Sequence, residues 1–341
     1  MEKFYRISWI DNLKGIGVIF IIFGHSISCP DFLIDYLFSF HVPLFFFIAG
    51  LNFNNNLLSN FKLFFKKRAE RLLVPYIFFN ILSYVFWIIR VKIMGSPQEV
   101  PIIRPLIGIL YGNGNNSWLI HNEPLWFFVC LFVAQIFLFF ILKIAKTKLQ
   151  IIVLLFVFAV IGYLDSRYLH TRLPWSIDIA FTAVVFSGIG YIIRGYRWEL
   201  PKNKLAVCMF AVLLLNLCIA FINGKIDMNY NKYNNIFLFY GGAFSGIIFW
   251  IGISRVIGNF SIIKYIGNNS LTIFALHIPA LIVIVKLLMM VGIPYTTQEG
   301  HIAFLFIHAF LTILAIIPIN YLSSKYASFW IGRRNLGEIQ T

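Results

Sequence analysis

His25 closes the apolar stretch Gly17-Val18-Ile19-Phe20-Ile21-Ile22-Phe23-Gly24, and Lys14 precedes it by eleven positions. On a helix that interval is about 1100°, or three turns plus about 20°, with a rise of roughly 16 Å, so both side chains fall on one face. An imidazole takes a proton from a hydroxyl near neutral pH and returns it later, which is general acid–base chemistry. The alternative is a hydrogen-bonded buried histidine beside an interfacial lysine. His41 lies at the outer end of a second apolar run, where the first also finishes, so the two imidazoles could be neighbours. His277 and His308 sit some way into later apolar runs. Each alone reads as a packing or hydrogen-bonding histidine.

Two further clusters carry polar chemistry. In Lys66-Lys67-Arg68-Ala69-Glu70-Arg71, helical spacing puts Lys67 and Arg71, and Arg68 and Arg71, on a shared face. Such a face holds phosphates by charge-assisted, partly bidentate bonds, or anchors the chain to anionic headgroups. His121 and Glu123 precede Pro124-Leu125-Trp126-Phe127-Phe128. They either bind an incoming hydroxyl compound or cap a span. The sequence holds no zinc pattern, nucleophile elbow, phosphate-binding glycine loop or dinucleotide fingerprint.

These residues need elements to hold them, and the composition says which. Of 341 residues, 60% are hydrophobic and 12% charged, with 38 Phe and 16 Tyr. Soluble chains carry about 25% charged residues, so a water-soluble enzyme is excluded and a polytopic, all-α membrane protein is predicted. Ten apolar runs near bilayer length fall at about 13–28, 37–53, 74–95, 124–142, 149–164, 177–193, 204–222, 236–256, 269–291 and 302–322. Continuous Phe/Ile/Leu runs fit helices and not alternating barrel strands. The first run is read as a retained span, since no small-residue cleavage site follows it. The longest outer loop, about 96–123, contains the turn-forming Gly112-Asn113-Gly114-Asn115-Asn116.

The formal charge of +15 reflects topology and not nucleic acid. With the N-terminus inside, only Arg104, Arg167, Arg172, Lys225 and Lys232 fall in outer loops. Arg90, Lys92 and Lys286 lie in or beside spans, and every other Lys and Arg is on the inner side. Both termini are therefore predicted to be cytoplasmic, with 323–341 as a short tail. The whole of 1–341 reads as a single transmembrane domain.

At this point the residues resemble the acyltransferase-3 family of integral membrane O-acyltransferases. Trp9-Ile10-Asp11-Asn12-Leu13-Lys14-Gly15 followed by Gly24-His25 is similar to its motif of a basic residue, ten intervening positions and a histidine. Phe40-His41-Val42-Pro43-Leu44-Phe45-Phe46-Phe47-Ile48-Ala49-Gly50 resembles the second-span motif, and Arg68-Ala69-Glu70-Arg71-Leu72-Leu73-Val74-Pro75-Tyr76 the basic loop entering span three. Pro124-Leu125-Trp126-Phe127-Phe128 and Asn269-Ser270-Leu271-Thr272-Ile273-Phe274-Ala275-Leu276-His277-Ile278-Pro279 match later blocks. Two positions depart from the pattern: Lys14 stands where arginine is commoner, and Ala49 where serine is often found.

The resemblance implies an enzyme of the bacterial cytoplasmic membrane that moves an acyl group, most often acetyl from acetyl-CoA, to a hydroxyl of a cell-surface glycan or its lipid-linked precursor. No metal is implied, and the members closest in character lack a fused extracytoplasmic hydrolase-like domain. It implies His25 and His41 as catalytic residues, and Lys14, Lys67, Arg68 and Arg71 as the grip on the CoA phosphates. Glu123, Trp126 and His277 are the candidates for acceptor binding. His25 would deprotonate the sugar hydroxyl for direct attack, or carry the acyl group itself as a covalent intermediate. The competing class is a transporter or flippase for a glycan or small acid, with His25 and His41 lining its path.

Overall fold

The computed structural model describes residues 8–93, 95, 100–115, 118–169, 172–196 and 202–332. Lys3, Arg6, Asn116, His170, Arg197, Arg333 and Arg334, and the predicted tail beyond residue 332, lie outside the described residues.

The regular elements among the described residues are helical, α-helices with short 3-10 and π turns, beside one isolated β-bridge between Asp227 and Lys232. In chain order these are α1 (Ser8–His25), α2 (Asp31–Phe38), α3 (His41–Leu51), α4 (Phe61–Arg68) and α5 (Val74–Lys92). They continue with α6 (Ile103–Tyr111), α7 (Trp126–Ile144), α8 (Lys148–Leu164), α9 (Ile177–Ile193) and α10 (Lys202–Asn223). The last are α11 (Ile236–Val256), α12 (Ser261–Asn268), α13 (Ser270–Met290), α14 (Tyr295–Gln298) and α15 (Ile302–Tyr326).

Nine helical segments among the described residues are long and apolar enough to cross a membrane, where ten were predicted. The one that falls short is the first. It is a helix of 18 residues, but Asp11, Asn12, Lys14 and His25 dilute its apolar character. Two other predicted spans change shape. Asp31–Leu51 is broken at Ser39–Phe40, so His41 opens α3 inside the segment instead of marking its outer end. The third candidate runs from Phe61 to Lys92 and not from about 74, because α4 and α5 are joined through a π-helical turn, Ala69–Leu73. The basic cluster is thus built into a 32-residue helix instead of a loop. The outer loop also holds more order than its turn residues suggested: α6 occupies Ile103–Tyr111 and ends on Gly112 at φ 69°, a left-handed conformation that suits glycine.

The chain divides into two compact units. One comprises the chain through Ile48, Gly195–Ile226 and Tyr233–Leu314. At its centre α1 packs against α2, α11, α12 and α13. Helices in lipid gain little from apolar burial, so close backbone approach and polar ties fix their pairing. Both operate on α1. A Cβ added at Gly267 would lie 1.8 Å from the Asp11 carbonyl oxygen, and one at Gly15 would lie 2.3 Å from that of Ile263. Asn12, fully buried, donates from Nδ2 to the carbonyls of Ser254 (3.0 Å) and Gly258 (2.7 Å) at the end of α11.

The second unit comprises Ala49–Arg194, Asp227–Lys232 and the chain from Ala315 on. There α7, α8 and α9 pack together, and the π turn packs on α7. Side chains define the helix starts: Asn60 accepts from Leu63 N (2.9 Å), and Thr147 and Gln150 form a reciprocal capping box.

Candidate active site

His25 is the last residue of α1, and the chain turns immediately after it, Ser26 N donating to Phe23 O (3.0 Å). Gly24 lets the Phe38 ring come close: a Cβ there would stand 2.9 Å from the ring, which would have to shift. Phe38 packs at 6.4 Å from His25 and 4.9 Å from His41, ring centroid to centroid. His277 of α13 comes closer, its centroid 5.1 Å from that of His25 with the planes inclined by 51°. Three imidazoles from α1, α3 and α13 are therefore gathered in one unit, all from residues singled out in the sequence.

Their nitrogens are occupied differently. His41 is 2% exposed, and its Nδ1–H donates to Leu37 O at 2.6 Å across the break between α2 and α3. His277 is fully buried, and its Nδ1–H donates to Phe274 O at 2.5 Å. Because a carbonyl only accepts, the proton sits on Nδ1 in both, and Nε2 carries a lone pair. In His277 that Nε2 is buried without a hydrogen-bond partner among the described residues. His25 differs from both. It is exposed, and its ring forms no hydrogen bond with a described residue. An open imidazole beside two tautomer-fixed ones is suited to exchange protons with a ligand.

His308 serves another purpose. It is fully buried, its Nδ1 faces Ser26 Oγ (2.9 Å) and Ser28 Oγ (3.1 Å), and its Nε2 donates to Gln298 Oε1 (3.0 Å). Ser28 Oγ donates to Gln298 O (2.6 Å). The network ties down the turn that follows His25. Ser26, Ser28 and Gln298 were missed in the sequence; the signal was the pair of serines flanking Ile27 directly after His25. Lys14 lies on the same continuous helix as His25, near Asp11, whose Oδ1 is 3.4 Å from Nζ.

The other candidate residues belong to the second unit. The Arg68 guanidinium lies over Phe53 (5.7 Å) and Phe64 (5.4 Å), and its Nε is buried with no hydrogen-bond partner among the described residues. Arg71 is exposed and Lys67 half-buried. The π turn between Arg68 and Arg71 alters the i,i+3 spacing assumed for an uninterrupted α-helix. Trp126 is 4% exposed and packs on Gly114, where a Cβ would be 2.4 Å from Trp126 Cδ1. Glu123 hydrogen-bonds Tyr230, whose phenol is pushed up to about 12 by burial and then by the charges of Glu123 and Asp227. His121, 4% exposed, donates from Nε2 to Asn80 Oδ1 (2.8 Å), and burial lowers its pKa to about 4. Arg172 pairs with the buried Asp178 at 2.6 Å and also donates to Asn229 O. This loop cluster went unrecognised in the sequence, because its partners come from segments far apart in the chain.

Comparison with known proteins agrees with the residue pattern. The acyltransferase-3 family, described as an acyltransferase domain, matches residues 7–321, and the chain belongs to it. No curated protein and no solved structure matches. The protein is thus a multi-pass member of a membrane acyltransferase family, and the match runs through both units.

Proposed function

We propose that the protein is an O-acetyltransferase that moves an acetyl group from acetyl-CoA to a hydroxyl of a cell-surface glycan or its lipid-linked precursor. The two units together are read as one transferase domain, because the family match covers both. The observation that carries the reading is the state of His25: exposed, free of hydrogen bonds to described residues, and set among imidazoles whose protons are already committed.

In the direct route, His25 removes the proton from the acceptor hydroxyl as its oxygen attacks the thioester carbonyl. The C–S bond breaks, and the departing CoA sulfur receives the proton from the imidazolium. One ester and one thiol replace one hydroxyl and one thioester, so no further reactant is needed. In the alternative route the imidazole nitrogen attacks the thioester carbonyl first and the C–S bond breaks to release CoA thiolate; the hydroxyl oxygen then takes the acetyl group from the imidazole, and its proton ends on the CoA sulfur. Both routes place a transient positive charge at the carbonyl end of α1, where the helix dipole favours it.

The donor's phosphates are assigned to Lys67, Arg68 and Arg71, with Lys14 as a further cation on α1. The unsatisfied Nε of Arg68, held in place by two aromatic faces, fits an anionic oxygen. Acceptor hydroxyls are assigned to Glu123, Trp126 and His277, and His41 is read as a second catalytic imidazole. We read α1 as a tenth crossing whose Asp11 and Asn12 are buried against neighbouring helices, which puts both termini on the cytoplasmic side of a bacterial inner membrane, among anionic lipids. The test is transfer itself. The full-length protein in lipid nanodiscs, given acetyl-labelled CoA and envelope glycan freed of its esters by mild alkali, should deposit label on the glycan. Passage of unmodified glycan into sealed vesicles with no label transferred would instead indicate a transporter.

A further inference from the structure

The buried nitrogen of His277 calls for a donor. Its ring is fixed by the bond from Nδ1 to Phe274 O, and its Nε2 lone pair has no partner among the described residues. The ring nearest to it is His25, at 5.1 Å between centroids. A ring nitrogen lies about 1.1 Å from its centroid, and hydrogen-bonded nitrogens are about 2.9 Å apart, so two imidazoles joined by an N–H···N bond have centroids about 5 Å apart. The observed separation is the one such a bond needs. The His25 ring makes no hydrogen bond with a described residue, so forming this one breaks none.

Resting on the proposed function of His25, we infer that His277 is a positioning residue: its Nε2 accepts the N–H of His25, fixes the His25 tautomer and aims the opposite nitrogen at the acceptor hydroxyl. This changes its assignment from acceptor binding. The arrangement follows the logic by which an orienting group holds the histidine of a nucleophile–base pair, with a neutral imidazole in place of a carboxylate. The order of dependence then follows: the observed bond to Phe274 O sets the His277 tautomer, the inferred bond to His277 sets that of His25, and His25 meets the substrate.

The test compares His277→Phe, which fills the space without an acceptor, with His277→Gln, whose Oε1 falls near the position of Nε2. Both are assayed as purified full-length protein in nanodiscs with acetyl-CoA and de-esterified envelope glycan, beside His25→Ala. His277→Phe should lower kcat by about 100-fold with KM for both substrates within about 2-fold, and His277→Gln should recover most of the loss. Activity of His277→Phe near wild type would overturn the inference. So would equal impairment of the two variants, which means the ring only fills space, or a raised glycan KM at unchanged kcat, which means it binds the acceptor. If His277→Phe does not fold, carbethoxylation of the wild-type protein decides: His25 should react with diethyl pyrocarbonate and His277 should not, and modification of His277 at a comparable rate would overturn the inference. Full activity in His25→Ala defeats the proposed function itself, whereas an inactive His25→Ala with an active His277→Phe defeats only the role of His277.

Discussion

At the scale of single residues, histidines of one chemical type are set to different work by what their nitrogens touch. His41 and His277 each spend Nδ1–H on a carbonyl three or four residues earlier, while His308 is satisfied on both sides and holds the turn beyond His25. The sequence showed all of these as polar residues in apolar surroundings but paired His25 with His41; the close approach of His277 joins helices remote in the chain and leaves no mark on spacing. His121, outside the spans, is a structural histidine with a measurable signature. Burial keeps it neutral in the folded state, with a pKa of about 4. The unfolded chain takes up its proton below about pH 6.5, so the stability that this group contributes is complete above that pH and is lost as pH falls towards 4. His121→Gln, which keeps a donor for Asn80, should flatten the dependence. Denaturation midpoints of wild type and variant should diverge between pH 6.5 and 4, by up to about 3 kcal/mol in stability. Parallel curves would assign the acid sensitivity to other groups.

At the scale of elements, α1 and the 61–92 helix depart most from the hydropathy reading, and for related reasons. Polar residues within a helix lower its apolar signal without stopping it from being a helix. Asn12 and Asp11 made α1 look like a short span, yet Asn12 is what fastens it to α11, and Gly267 is what lets α12 lie against it. In the same way the run of Lys and Arg hid the first half of the 61–92 helix. The π turn there was illegible, because it depends on one inserted residue of register and not on any residue type. A π turn inside a long helix frequently marks a functional position, and here it carries Arg71 and adjoins Arg68. Arg68→Ala and Arg71→Ala are each expected to raise the KM for acetyl-CoA by about 10- to 100-fold, the loss of a charge-assisted hydrogen bond, with little change in kcat. Arg68→Lys should recover only part, since an ammonium neither forks nor offers a planar group to Phe53 and Phe64. Unchanged acetyl-CoA kinetics in all three would assign the cluster to membrane anchoring.

At the scale of the whole molecule, composition was the strongest guide. A chain that is 60% hydrophobic with 12% charge has to be read as a membrane protein, and helical spans follow because lipid leaves backbone groups no other partner. Membership of the acyltransferase-3 family agrees with that architecture. The predicted orientation is open to direct labelling. In a cysteine-free background, an exposed Lys232→Cys should react with a membrane-impermeant maleimide from outside intact cells, and an exposed Lys66→Cys only after permeabilisation. The reverse pattern would invert the topology. Whether His25 handles the proton of acyl transfer is decided by His25→Ala carried in nanodiscs with acetyl-labelled CoA and de-esterified envelope glycan. Normal insertion and monodispersity are expected, with transfer reduced by at least about 100-fold, the lower end of what a general acid–base group contributes. Label reaching the glycan at the wild-type rate would contradict that role.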